Sequence, residues 1–222
     1  MSKITDLTAQ LARPVVEANG CTLWDVEYVK EAGSWYLRVY IDKEDGVSID
    51  DCEAVSRVLS DLLDEVSVDA ARWYFNAKPD TQMEFDLGLA VREDSENPIY
   101  YVEYAHARIC SLLRALAEEG TSVPRQADVD MSLLSGEAER ALLKQIAQFC
   151  EEIKLAARDY DPSHINRYLQ ELAACFHRFY TACRIKGEEP AVRDARLKLA
   201  DDTRIVLRNG LKLIGVDAPE KM

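Results

Sequence analysis

The stretch Asn97-Pro98-Ile99-Tyr100-Tyr101-Val102-Glu103-Tyr104-Ala105-His106-Ala107-Arg108-Ile109 constrains the fold more than any other part of the chain. Asn97 can cap the open amides of a first helical turn, and Pro98 suits the first helical position, where its missing N–H costs nothing. Val102, Ala105 or His106, Ile109 and Leu113 then recur at three- and four-residue spacing, which makes one apolar stripe. Tyr101, Tyr104 and Arg108 fall on a neighbouring stripe. Two chemistries fit that second stripe. Its tyrosines can pack at a core edge with their hydroxyls satisfied, or they can stack on unpaired bases while the arginine reaches phosphate.

The helical period persists to the end of the chain. The third helix is expected to run from Asn97 to about Glu119, where Gly120 to Pro124 opens a loop. Ser135 is expected to cap the next, which carries Leu142, Leu143, Ile146, Phe149, Cys150 and Ile153. Asp161-Pro162 starts another, with Ile165, Leu169, Leu172, Phe176, Phe179 and Cys183, and Pro190 opens the last, which should end at Gly215. Long helices joined by short loops predict an antiparallel bundle.

The first third of the chain reads differently. Ile4, Leu7, Leu11, Val15 and Ala18 form a helical stripe over residues 3–18, with Pro14 a point for a kink or restart. Thr22 to Lys30 and Trp35 to Asp42 alternate as strands around a Gly-containing hairpin loop. In the second, Leu37, Val39 and Ile41 take one face, and Tyr36, Arg38 and Tyr40 the other. Asp42 to Gly46 lacks calcium-loop spacing and reads as an acidic turn. Ser48 and Asp51 resemble a capping box for a helix from Asp50, where Asp50, Asp51 and Glu53 favour a helix start rather than acid–base chemistry. With no Gly or Pro before Pro79, that helix is expected to run on, nearly continuously, to Phe75. Gln82 to Leu89 alternates as a short extended piece. The fold class is therefore α+β: a small helix–strand–strand–helix segment over residues 1–66, then an all-α antiparallel helical bundle over residues 67–222.

Composition narrows the function. The 222 residues carry a formal net charge of −13. Residues 1–66 hold net −8 and residues 67–222 net −5, and only the stretch from Arg184 to Lys212 has an excess of Lys and Arg. A phosphate binder usually needs a basic surface, so nucleic-acid binding here must use a local patch and should be weak and salt-sensitive. No apolar run reaches the ~18 residues of a membrane span and no signal-peptide pattern opens the chain, so a cytoplasmic protein without membrane contact is expected. Cys21, Cys52, Cys110, Cys150, Cys175 and Cys183 form no C-x-x-C pair and stand at no metal-ligand spacing with His106, His164 or His177. They read as reduced thiols, and no metal or cofactor is expected. His106 and His177 read as packing residues, since neither has a nucleophile and orienting acid nearby in sequence.

Two segments resemble known families. Pro14 to Glu17, Trp24 to Lys30, Leu37 to Lys43 and Gly46 to Arg57 look like the amino-terminal domain of the ribosome maturation factor RimP, over about residues 5–65. That family continues into a further strand with a Ser-Pro-Gly motif and a small β-barrel, neither of which follows here. The missing strand leaves a two-stranded sheet with open edges. Val68 to Phe75, Glu84 to Leu87, the Asn97 stretch, Tyr168 to Ala173, Phe176 to Arg184 and Asn209 to Met222 resemble the anticodon-binding helical (DALR) domain of arginyl-tRNA synthetases, over about residues 68–222. Gly88 and Glu103 depart from that pattern, which usually has an acid and Gln there, and a charge at Glu103 would repel phosphate.

The second resemblance implies binding of the anticodon region of arginine-accepting tRNA, through aromatic residues and the carboxyl end. The matching positions are Tyr101, Tyr104, Tyr180 and Met222, with Asn97 and Arg108 beside them for sugar or phosphate. Arg184, Arg204 and Arg208 are secondary candidates. The HIGH-type and KMSKS-type motifs of the family's ATP-using domain are not in this sequence, nor is a P-loop, so no aminoacylation is expected. The first resemblance implies instead an accessory of small-ribosomal-subunit maturation. The junction inside both families' domains admits a third reading, a fusion with no evolved function.

Overall fold

The computed structural model describes residues 3–31, 34–65, 67–77 and 87–222. Contacts divide the chain into two units, Met1–Ser67 with Gln82–Val91, and Val68–Thr81 with Arg92–Met222.

The first unit contains α1 (Lys3–Ala18), β1 (Thr22–Glu31), β2 (Ser34–Asp42), α2 (Ile49–Glu65) and the short α4 (Leu87–Ala90), with α3 (Val68–Ala77) intervening in sequence. One helix passes through Pro14 without a restart. Leu11, Ala12, Val15 and Val16 of α1, Cys21, and Val55 and Leu59 of α2 make a small core, against which Leu23, Val39 and Ile41 of the hairpin pack. The strands pair antiparallel, Val26 opposite Val39 and Glu27 opposite Arg38, with a bulge between Leu23 and Asp25. The bulge leaves Trp24 unpaired and 76% exposed. The hairpin tip at residues 32–33 lies outside the described residues. Ser48 and Asp51 form the expected reciprocal cap, with Ser48 N–H donating to Asp51 Oδ2 at 2.9 Å and Asp51 N–H to Ser48 Oγ at 3.1 Å.

The second unit contains α3 (Val68–Ala77), α5 (Pro98–Glu118), α6 (Glu137–Asp159), α7 (Ser163–Ala182) and α8 (Pro190–Leu213), with two short 3₁₀ turns at Gln126–Asp128 and Met131–Leu133. The expected helix through residues 50–75 is two helices. Ser67 is not helical, and the buried residues of α2 and α3 belong to different cores: Val55 and Leu59 in the first unit, Ala70 and Trp73 in the second. Leu87 and Leu89 sit in a helical turn rather than a strand, and the rest of that expected strand lies outside the described residues. The cap of α6 is Gly136, not Ser135; its N–H donates to Glu139 Oε2 at 2.7 Å.

The bundle core is Ile99, Val102 and Ile109 of α5, Leu142 of α6, Leu169, Leu172, Phe176 and Phe179 of α7, and Leu197, Leu199, Leu207 and Leu211 of α8, all buried. Gly210 lets α8 approach α7: a Cβ there would stand 2.6 Å from Leu169 Cδ2. Buried polar groups are tied across helices. Tyr168 Oη donates to the Gln145 carbonyl at 2.8 Å, Asn166 Nδ2 to the Trp73 carbonyl at 3.0 Å, and Arg196 pairs with the buried Glu139 at 2.6 Å. Gly215, at φ 75°, ends α8, and the Val216 N–H returns to the Leu211 carbonyl at 3.0 Å. This is the left-handed helix stop expected of glycine there.

Candidate nucleic-acid interface

The N-terminal half of α5 and the middle of α7 face each other across an aromatic groove. Ser95, Tyr100, Tyr101, Tyr104, Arg108 and His177 line a cavity of about 360 Å³. Tyr100 and Tyr104 stack with centroids 6.3 Å apart, one helical turn from each other. His177 lies 4.7 Å from the Tyr101 ring and 6.0 Å from that of Tyr104, nearly parallel to the second. The Arg108 guanidinium sits 4.4 Å from the Tyr180 centroid and 5.6 Å from that of Tyr104. These are cation–π distances. Tyr180 in turn packs on Phe176 at 5.7 Å, which ties the outer rings to the core.

Of the residues expected to face a ligand, Tyr101, Tyr104 and Arg108 line this groove, and Tyr180 backs it under Arg108. Tyr104 is 38% exposed. Burial raises the Tyr101 phenol above its ordinary value, against the pull of Arg178. Asn97 caps α5 as expected and is not among the groove's lining residues. It is 3% exposed; its Oδ1 accepts the Ile99 N–H at 3.3 Å, and its Nδ2 donates to the Arg92 carbonyl at 2.8 Å. Its amide is engaged in starting α5.

Tyr100 and His177 belong to the groove and were missed. The signals were present: Tyr100 stands four residues before Tyr104, and His177 three before Tyr180, each on its partner's helix face. His177 packs against Tyr101, Tyr104 and Phe176 and also lines the groove. Its Nε2 is buried with no hydrogen-bond partner among the described residues. Burial and the Arg108 charge lower its pKa, so it is held neutral.

The carboxyl tail is fixed elsewhere on α5. His106 Nδ1 meets the Pro219 carbonyl at 2.8 Å, and Arg114 donates to the Glu220 carbonyl at 3.4 Å. At 3.6 residues per turn, His106, Cys110 and Arg114 lie roughly opposite Tyr101, Tyr104 and Arg108. Burial is the main cause that lowers the His106 pKa, with Arg204 and Arg208 adding to it. The tail is also held to α3: Arg72 donates to the Gly215 carbonyl at 2.7 Å, Asn76 to that of Ile214 at 3.0 Å, and the Asp217 N–H to Asp69 at 3.2 Å. Met222 ends this tail, 53% exposed, and is not among the groove's lining residues. Glu103 faces this side too. Burial, then Asp69 and Asp217, push its carboxyl up to about 7, so its charge is reduced near neutral pH. Arg204 is engaged with Asp201 at 2.7 Å, while Arg184 and Arg208 are exposed. Among the described residues no His, Cys, Asp and Glu cluster could hold a metal, and no helix is long and apolar enough to cross a membrane.

The model of the DALR anticodon binding domain matches residues 102–222, and that of the RimP N-terminal domain matches residues 11–75. An arginine–tRNA ligase from Carboxydothermus hydrogenoformans is 51% identical over 165 residues, 74% of this chain and 30% of the relative. One from Acetivibrio thermocellus is 47% identical over 165 residues, 74% of this chain and 29% of its own length. The chain thus spans under a third of these relatives. A solved arginyl-tRNA synthetase from Campylobacter jejuni superposes with a TM-score of 0.64 at 30% identity, covering 86% of this chain and 38% of that one. The Thermus thermophilus enzyme gives 0.60 at 26%, covering 81% and 29%.

Proposed function

Since the chain belongs to the DALR anticodon binding domain family, we propose that its second unit binds tRNA, at the anticodon region of an arginine-accepting tRNA. The observation that carries this reading is the groove of Tyr100, Tyr101, Tyr104 and His177 with Arg108 at its edge. Aromatic faces hold splayed bases by stacking, which needs little net positive charge. That is how a chain of net −13 can bind a polyanion. Arg108, held over Tyr180, has a guanidinium that can stack on a base or contact phosphate without a change of rotamer. Met222 and the arginines near the tail, Arg114 and Arg208, form a second approach to the same helix, suited to backbone rather than bases.

The test is a titration of the whole chain against arginine tRNA and an unrelated tRNA at low salt. Tighter binding of the first supports the reading, and equal affinities or no binding reject it. Selective pelleting with small ribosomal subunits would favour the RimP-like segment as the working part instead.

A further inference from the structure

Among the described residues, the first unit leaves the outer edge of β2 unused. Among those residues its sheet is the β1–β2 pair. Helix α1 lies against β1 and touches β2 little. Among the described residues, no backbone hydrogen bond leaves β2 except those to β1. Tyr36, Leu37 and Tyr40 of β2 are 46%, 37% and 41% exposed. An exposed, apolar edge of this length is a template for another strand.

We propose that the outer edge of β2 pairs with β2 of a second copy of the chain, antiparallel about a two-fold axis at Val39, to make a four-stranded sheet. Charge decides the strand, and the match of apolar residues decides the register. On β1, Asp25, Glu27 and Glu31 share one face, so a two-fold pairing of β1 sets acids opposite or diagonal to acids. Like charges so placed are destabilising. On β2 that face carries Tyr36, Arg38 and Tyr40, and faces match only when paired residues have the same parity. An axis at Arg38 would oppose two arginines, and one at Tyr40 would pair Arg38 with Asp42 but set Leu37 opposite Lys43, beyond the end of the strand. An axis at Val39 places Arg38 opposite Tyr40 twice, a favourable cation and aromatic pair. It also sets Leu37 opposite Ile41 twice, extending the apolar face already formed by Val39 and Ile41. The symmetric, self-complementary arrangement is what closes a dimer without a free growing end on β2.

The experiment is sedimentation equilibrium of the full chain from micromolar to submillimolar concentration, with folding of each variant followed by far-ultraviolet circular dichroism. The mass is expected to rise towards two chains. Leu37→Lys, at an exposed position, should weaken association about tenfold or more, because the two-fold repeats each lost pair. In a Cys52→Ser, Cys150→Ser background, Val39→Cys should form a symmetric disulfide on mild oxidation, and Val29→Cys on β1 should not. A single-chain mass at every concentration overturns the proposal. So does a dimer that survives Leu37→Lys and cross-links through Val29→Cys.

Discussion

Glu103 shows how one side chain sets a pH dependence. Its carboxyl is pushed to about 7, from an ordinary 4.5, by burial and by Asp69 and Asp217. Between those values the native chain keeps a proton that the unfolded chain has released. Stability therefore falls as pH rises through about 4.5 to 7 and levels off above. The penalty at alkaline pH is at most about 3 kcal/mol. Glu103→Gln removes the charge and keeps the shape, so its thermal midpoint should exceed that of the wild type at pH 8 and converge with it near pH 4.5. His106 and His177, held neutral by burial, act in the opposite sense below about 6.5. The difference between the two melting profiles, not either one alone, therefore isolates Glu103, and parallel profiles would refute the assignment. Tyr104 makes a separate prediction. Half-exposed and stacked on Tyr100 and His177, Tyr104→Ala should lower the melting temperature by a few degrees without unfolding the chain and cost about 1–3 kcal/mol of tRNA affinity. Calorimetric titration checks this, and unchanged affinity would remove the groove from the interface. At this scale the sequence showed Tyr101, Tyr104 and Arg108, because they share one helix face. It also showed Asn97 as a cap, but not that the cap is buried, since a cap and a ligand contact use the same atoms.

At the scale of elements, period and punctuation placed α1, both strands and α5 to α8 nearly where they lie. They failed at the α2–α3 break. Residues 50–75 contain neither Gly nor Pro, and the stop comes from which core each apolar residue enters, a tertiary fact. Gln82 to Leu89 alternates but supplies a helical turn at Leu87–Ala90, because period alone does not separate helix from strand in so short a run. Gly210 in mid-helix looked like a lapse in propensity and is a contact. Gly210→Ala gains about 1 kcal/mol of helix propensity. It also drives a methyl group to 2.6 Å from Leu169, which is fully buried and has no room to retreat. Overpacking costs about 1–3 kcal/mol. Urea unfolding followed by helical signal should therefore show a net loss, and a stabilised variant would mean that the two helices can separate freely.

For the whole molecule, the question is how a net −13 chain holds a nucleic acid. The net charge is unevenly shared, with −8 in residues 1–66 and −5 in the remainder. Within the second unit, most basic side chains of α8 are already matched: Lys198 with Asp202, Arg204 with Asp201, Arg196 with Glu139. The cations beside the groove and the tail are few, chiefly Arg108 at the groove and Arg114 and Arg208 towards the tail. Each phosphate neutralised on a single strand contributes about −0.7 to the slope of log affinity against log salt, so the slope here should be about −1 to −2. Stacking, which salt screens little, then carries the rest. Affinities for an arginine tRNA anticodon stem–loop measured across a salt series give the slope directly. Tyr104→Ala should lower the whole line without tilting it, and Arg108→Ala should flatten it by about one phosphate's worth. A steep slope, as from six or more contacts, would place binding on cations away from the groove, such as Arg184 and Lys212, and would overturn the stacking account.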